Sequence, residues 1–155
     1  MGAFGLGARR RAAATPDGML RLGYAGGTRT HQRDFAQCAG AVAATLRARP
    51  DVRLVLFRDG TTGTPMLDIA EFPDFLGLED RIEWRDCVPL AQLAEEIARF
   101  DISLVPVEVG NAYCEAKSEL KFFEAALAGV CPIPPPTGPF RAAIRHGDNG
   151  YLAPT

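Results

Sequence analysis

Short apolar runs alternate with longer segments of helical periodicity along most of this chain. Each run has the length of a strand, and turn-forming residues separate most of them from the segments that follow. The predicted strands are LRLGYA (20–25), VRLVLF (52–57), RIEWRD (81–86), ISLVPV (102–107), CPIP (131–134) and a closing strand at 150–153.

Four intervening segments carry apolar residues at helical spacing, which predicts amphipathic helices. They are residues 34–48, 89–100, 117–129 and 139–146. The positions predicted to face the core are Phe35, Cys38, Ala39, Val42 and Leu46 in the first helix, Leu90, Leu93 and Ile97 in the second, and Leu120, Phe123 and Leu127 in the third.

Strands that alternate with such helices indicate βαβ units, and therefore an α/β fold. We predict a doubly wound parallel sheet of about six strands, with helices on both faces. Ligands of such sheets bind beyond the carboxyl ends of the strands. The loops that follow the strands are therefore the places to look for function.

The loop after the first strand, YAGGTRTHQRDF, has the composition of an anion site. Gly26 and Gly27 allow backbone N–H groups to approach a ligand closely, and Thr28 adds a hydroxyl donor. Arg33 stands at the start of the next helix, where it could pair with a phosphate. A tight βα turn with a side-chain cap explains these residues equally well. His31 is more typical of a hydrogen-bonding loop residue than of a catalyst.

The segment KSELKFFEAALAG follows a long irregular loop and opens a second candidate site. Ser118 is a plausible N-cap, and Lys117, Lys121 and Glu124 share one helical face. One interpretation is a solvated face with a Lys121–Glu124 ion pair. In the other, Lys121 meets a phosphate and the Glu124 carboxylate accepts hydrogen bonds from a ribose diol.

Composition narrows the class of protein. The chain has 155 residues, a net charge of -2 and a pI of about 5.7, so no general attraction to nucleic acid is expected. Residues 1–18 are predicted to be a flexible lead-in or linker, and 19–155 a single domain. The four cysteines are scattered, which predicts no metal site and no disulfide framework, and fits the cytoplasm. No run is apolar enough for a transmembrane segment.

Three motifs resemble the donor-binding domain of GT-B glycosyltransferases, in particular the family-4-like enzymes called glycosyltransferase group 1. They are GYAGGTxTHxRDF, KSxLKFFEAALAGV and TGPFRxxIxHGxNGYLA, which together extend from about Leu20 to Pro154. The Glu-Ala-x-x-x-Gly-Val-x-Pro sequence that begins at Glu124 is the most specific part. The resemblance implies one of two Rossmann-like halves, the one that holds a nucleotide sugar such as a UDP or GDP sugar, without a metal or other cofactor.

The resemblance also implies roles for individual residues. Glu124 would bind the ribose hydroxyls, Arg33 the diphosphate, and segment 84–88 would border the base. The predicted donor-binding residues are Gly26, Gly27, Thr28, Arg33, Cys87, Val88, Ser118, Lys121 and Glu124.

The chain departs from the family in its carboxylates and its basic residues. The usual Glu-x7-Glu pattern would place its first member at Ala116, whereas the carboxylate is Glu115, the candidate catalytic residue. A basic residue is common where Thr28 stands. Lys121 and Glu124 match the Lys-x-x-Glu pattern of divergent members.

The expected function is that of a glycosyltransferase donor domain of hexosyltransferase type, which transfers sugar to an acceptor hydroxyl in glycan or polysaccharide biosynthesis. An N-terminal acceptor-binding domain and C-terminal helices of the family are missing, so we expect a fragment or half-enzyme that is inactive alone. In the full-length enzyme it would lie in the cytoplasm or at the inner membrane face. The alternatives are a non-catalytic nucleotide-binding or regulatory module, and half of a sugar-nucleotide epimerase. A receiver-like domain is disfavoured because the first strand ends in Ala-Gly-Gly rather than in acidic residues.

Overall fold

A parallel sheet with the strand order β3-β2-β1-β4-β5 forms the centre of the molecule. The computed structural model describes residues 16–26, 31–117 and 119–154. The strands are β1 (Leu20–Gly23), β2 (Val52–Arg58), β3 (Ile82–Asp86), β4 (Ile102–Leu104) and β5 (Cys131–Ile133). All neighbouring strands are parallel, as predicted from the strand–helix alternation.

Helices cover both faces of this sheet. They are α1 (Gln32–Ala36), α2 (Ala39–Ala48), α3 (Leu93–Ile97), α4 (Ala112–Glu115), α5 (Leu120–Leu127) and α6 (Gly138–Ala143), with single 3₁₀ turns at Ile69–Glu71, Pro73–Phe75, Glu79–Arg81 and Leu90–Gln92. The side chains of alternate residues in β2 point to opposite faces of the sheet and pack in different core clusters. Leu54 and Leu56 pack with the α2 side, whereas Val55 and Phe57 pack with Ile97 of α3. The doubly wound α/β prediction is therefore confirmed.

The first predicted helix is divided into α1 and α2 by a turn at residues 37–38, but its apolar stripe is confirmed. Phe35, Ala39, Val42 and Leu46 are buried in one core cluster, and Cys38 packs against it. In the second predicted helix, Ile97 is buried, whereas Leu90 is 81% exposed, contrary to prediction. Leu90 begins a 3₁₀ turn before α3, and that turn lies outside the helical register that buries Ile97.

The predicted closing strand at 150–153 is not a sixth strand, although its backbone runs beside β5. The N–H groups of Tyr151 and Ala153 donate to the carbonyl oxygens of Pro132 and Pro134, at 3.1 and 3.0 Å. Pro132 and Pro134 have no N–H to return, so the reciprocal bonds of a parallel ladder cannot form. The sheet thus has five strands instead of about six.

The third predicted helix has a different buried face from the predicted one. Helix α5 begins at Leu120, so Lys117 lies in the preceding loop and not on the helix. Phe122 and Ala125 face the core, while Leu120, Phe123 and Leu127 are 59%, 50% and 85% exposed. We call these last three residues the α5 apolar stripe. The small Ala125 lets the helix lie close to its neighbours, and Phe122 packs into the core with Val105 and Phe140.

A chain of ion pairs lies on the α3 side of the sheet. Glu83 contacts Arg21 of β1 and Arg85 of β3, with N–O distances of 2.8 and 2.7 Å. Arg85 also contacts Glu96 of α3 at 2.8 Å, and Glu96 contacts Arg99 at 2.9 Å. Arg85 and Glu96 are buried, so each provides the opposite charge that the other needs in a site with little access to water.

Candidate functional site

A cavity of about 400 Å³ opens beyond the carboxyl ends of β1 and β4. These two strands are adjacent, and the chain leaves them in opposite directions along the sheet, which makes this the topological switch point. The lining residues come from the segments after β1 and β4 and from α5 and α6: Tyr24, His31, Asp34, Val105, Pro106, Val107, Tyr113, Ala116, Lys117, Leu120, Lys121 and Phe140. The volume lies in the range of small-molecule sites.

A second, more polar cavity of about 370 Å³ adjoins the first. It is lined by His31, Arg33, Asp34, Glu108, Asn111, Tyr113, Cys114 and Lys117. His31, Asp34, Tyr113 and Lys117 line both cavities, so this group of side chains forms the wall that they share.

Lys121 extends from the first turn of α5 towards the end of β1. Its Nζ donates a 2.8 Å hydrogen bond to the carbonyl oxygen of Ala25. Burial lowers the pKa of the Lys121 ammonium, and the charge of nearby Glu124 opposes this shift. An ammonium has three donor hydrogens, and one hydrogen bond uses one of them. A partly desolvated cation with remaining donors lies at the cavity, as the phosphate prediction requires.

Asp34 has the most polar contacts of the side chains in the site, and only 6% of this side chain is exposed. Its Oδ2 accepts from Lys117 Nζ at 2.8 Å and lies 3.1 Å from His31 Nδ1. Its Oδ1 accepts from the backbone N–H of Glu108 at 2.9 Å, and Cys114 Sγ lies 3.8 Å away. Burial raises the pKa of the Asp34 carboxyl, but the hydrogen bonds from Lys117, His31 and Glu108 outweigh it and leave the pKa below its ordinary value. Asp34 is therefore ionised at neutral pH.

Tyr24 supplies an aromatic wall at the end of β1. Its hydroxyl donates to the backbone oxygen of His31 at 3.3 Å, and its ring packs against Phe35 at a centroid distance of 5.1 Å. Burial raises the pKa of Tyr24, so the hydroxyl stays protonated and remains a donor. Gly26 is buried nearby, and a Cβ there would lie 3.0 Å from the Tyr24 ring, so a larger residue at this position would require the ring to shift.

Glu124 lies one turn beyond Lys121 on α5 and lines neither cavity. It is half-buried, its backbone oxygen accepts from the N–H of Ala128, and its carboxylate makes no hydrogen bond or ion pair with another described residue. The predicted Lys121–Glu124 ion pair is not formed, because Lys121 Nζ bonds to the Ala25 carbonyl instead. The carboxylate oxygens of Glu124 are thus open to a ligand as far as the described residues are concerned.

Three other predicted residues are not brought to the cavities. Glu115 Oε1 accepts from the backbone N–H of Gly110 at 3.3 Å, so it closes its own loop and lines neither cavity. Cys87 and Val88 follow β3, the edge strand, which β2 separates from β1. They also line neither cavity.

Of the remaining predicted residues, one lines the second cavity and three lie outside the described residues. Arg33 is exposed and lines the second cavity, not the first. Gly27, Thr28 and Ser118 lie outside the described residues, so their predicted roles stay predictions.

Sequence reasoning missed Asp34 and Lys117 as partners and gave His31 no partner. The sequence does contain a signal for the role of Asp34. This residue lies four residues before Cys38 and eight before Val42, and therefore on the buried stripe of the predicted helix. A charged residue on an apolar stripe predicts a buried ion pair. The cation, however, is 83 residues away in the sequence.

Two further properties of the described residues bear on the class of site. No group of three or more His, Cys, Asp and Glu side chains in that part of the chain is arranged to hold a metal ion. No helix in it combines the length and hydropathy needed to cross a membrane.

Comparison with known families decides what kind of domain carries this site. Residues 20–155 match the profile of the family described as glycosyl transferases group 1. The chain belongs to this family. No curated protein matches the sequence.

Solved glycosyltransferases share the fold. HepE from Anabaena, solved with UDP-glucose, superposes with a TM-score of 0.62 at 18% identity, over 98% of this chain and 38% of HepE. WaaG, a glycosyltransferase involved in lipopolysaccharide biosynthesis, gives a TM-score of 0.57 at 14% identity, over 92% and 35%. The group 1 domain thus has the architecture of one Rossmann-like GT-B half, and it spans little more than a third of the length of these relatives.

Proposed function

We propose that this group 1 domain binds the nucleoside diphosphate of a sugar donor in the cavity between the ends of β1 and β4. The observation that carries the proposal is the Lys121 ammonium, which is partly buried at the switch point with donors to spare. A desolvated ammonium favours an anionic ligand, because pairing offsets the cost of keeping the charge out of water.

The rest of the cavity suits the other parts of such a ligand. Tyr24, Val107 and Phe140 provide apolar and aromatic surface for an uncharged moiety. Glu124, with open carboxylate oxygens one turn from Lys121, is proposed to accept hydrogen bonds from the ribose hydroxyls. That HepE was solved with UDP-glucose supports a nucleotide sugar as the ligand class.

In the whole enzyme, the bound donor would give up its sugar to an acceptor hydroxyl, as a hexosyltransferase of glycan or polysaccharide biosynthesis at the cytoplasmic side of a membrane. The involvement of WaaG in lipopolysaccharide biosynthesis supports this setting. The acceptor and the second wall of the cleft would come from an N-terminal domain.

The first test is a calorimetric titration with matched nucleotides. We expect UDP or GDP to bind about 10- to 150-fold more tightly than the corresponding monophosphate, because the second phosphate adds charge-assisted hydrogen bonds. Equal affinities for the two members of each pair would refute the phosphate assignment.

The second prediction concerns Glu124. Glu124→Gln should weaken binding of the preferred diphosphate about tenfold, because it removes the charge that strengthens the hydrogen bonds from the ribose. The melting temperature should barely change, since the carboxylate makes no hydrogen bond or ion pair with a described residue and acts on Lys121 only through its charge. Glu95→Gln, on the exposed side of α3, is the matched control and should leave affinity unchanged. A lower melting temperature with normal affinity would instead make Glu124 a structural residue.

The third prediction is that the chain alone binds donor but transfers no sugar. Transfer needs the acceptor held at near-attack distance in a closed cleft, and the described residues form one wall of it. The candidate catalytic Glu115 lies outside both cavities, which favours a binding role for this chain by itself. Labelled nucleotide sugar and mixed acceptors would be incubated with the chain, with and without the N-terminal half of a related enzyme. Multiple turnover by the isolated chain would contradict the prediction.

A further inference from the structure

Asp34 joins the two segments that form the walls of the proposed donor site. The carboxylate belongs to α1, directly after the loop that follows β1. Its partners Glu108 and Lys117 lie in the segment after β4, more than 70 residues later in the chain. Its third partner, His31, precedes α1. One buried side chain therefore links the two walls directly.

We propose that Asp34 is a positioning residue of the donor site. It ties the segment after β4 to α1, and it neutralises Lys117, so that Lys121 is left as the cation for the phosphates. This inference rests on the proposed function, since it assigns a role to each of two neighbouring lysines in the same cavity.

The two lysines differ in the partners that they have in the absence of ligand. Lys117 Nζ makes a 2.8 Å ion pair with a carboxylate that is itself buried, and lies 5.7 Å from the centroid of the Tyr113 ring. Lys121 Nζ contacts a neutral carbonyl oxygen. An incoming phosphate must displace the Asp34 carboxylate from Lys117, whereas the nearby Glu124 carboxylate makes no ion pair with Lys121 that a phosphate would have to break. The charge that the cavity offers to an anion is therefore mainly that of Lys121.

Asp34 also determines which nitrogen of His31 carries a proton. An ionised carboxylate accepts hydrogen bonds and cannot donate them. The 3.1 Å contact between Asp34 Oδ2 and His31 Nδ1 therefore requires a proton on Nδ1. In the neutral ring, Nε2 is then an acceptor on the wall shared by the two cavities, where it suits a ligand hydroxyl.

The variant Asp34→Asn separates this role from a purely structural one. Asn keeps the size of the side chain and can still accept from the Glu108 N–H, but it releases the Lys117 charge. Pyrophosphate, measured by calorimetry, should therefore bind about fivefold more tightly to Asp34→Asn, with a steeper dependence on salt. The affinity for UDP should increase less than the affinity for pyrophosphate, because the loosened walls hold the nucleoside less well. In the double variant Asp34→Asn/Lys117→Met, the affinity for pyrophosphate should return to about the wild-type value.

Structural damage would produce the opposite result. Pyrophosphate affinity that is unchanged or lower in Asp34→Asn would overturn the proposal, and so would a failure of pyrophosphate to bind either protein. If Asp34→Asn does not fold, ¹⁵N NMR of the wild-type imidazole decides the matter: a proton on Nδ1 of His31 supports the proposal, and a neutral ring protonated only on Nε2 refutes it. A protein that gains pyrophosphate affinity but shows no preference for nucleotides would refute the donor function and leave the role of Asp34 intact.

Discussion

Substituting methionine for Lys121 is expected to weaken the binding of a nucleoside diphosphate about 10- to 150-fold without destabilising the domain. The affinity falls because the variant has no ammonium to pair with the phosphates. Stability is kept because burial disfavours the charged form, as the lowered pKa of Lys121 indicates. Methionine fills a similar volume without that cost. The Ala25 carbonyl oxygen loses its donor, but water in the cavity can replace it.

The pH dependence of unfolding gives an independent check on Lys121. Its pKa in the folded protein lies below the ordinary value of 10.5, so the unfolded chain binds the proton more tightly. The contribution of Lys121 to the free energy of unfolding therefore rises as the pH increases from the pKa of the folded protein towards that of the unfolded chain. The free energy of unfolding of Lys121→Met should not show this rise.

The matched control for this experiment is Lys117→Met. It leaves the buried Asp34 carboxylate without its ammonium partner, so we expect it to lower the melting temperature. Of two lysines four residues apart, only Lys117 should thus lower the stability of the domain when it is replaced. A lower melting temperature in Lys121→Met than in Lys117→Met would contradict the assignment of the two charges.

The largest effect on stability is expected at Arg85. Arg85→Met should lower the free energy of unfolding by up to about 3 kcal/mol, because it leaves the buried Glu96 with only the exposed Arg99 as partner and the half-buried Glu83 with only Arg21. It also removes the guanidinium that lies 5.7 Å from the centroid of the Phe100 ring. Urea denaturation measures the change directly.

Arg99→Ala provides the comparison, since Arg99 contacts the same Glu96 from an exposed position. Exposed ion pairs contribute little, so this variant should lose less than about 1 kcal/mol. Similar losses in the two variants would mean that burial does not control the strength of this ion-pair chain.

The strands and their parallel order could be predicted because they depend on local patterns. The run VRLVLF is apolar at consecutive positions, and both of its faces are in fact covered. The same reasoning predicted a ligand site at the carboxyl ends of the strands, and two cavities lie there. The position of Lys121 at the first cavity could be predicted because the start of a helix after a long loop is visible in the sequence.

Features that depend on distant parts of the chain could not be predicted in this way. The orientation of α5 differs from the predicted one because Phe122 and Ala125, and not the more regularly spaced Leu120 and Phe123, fit the space above the sheet. The Asp34–Lys117 pair joins residues far apart in sequence. Glu115 is a candidate only through the family resemblance, one residue before the expected position, and its hydrogen bond to the N–H of Gly110 could not be predicted from the sequence.

The α5 apolar stripe and Lys121 share the same two helical turns, so they cannot move independently. Leu120 also lines the first cavity, so a surface that covers the stripe would lie at the rim of the cavity that holds Lys121. The exposed stripe of α5 therefore borders the proposed anion site.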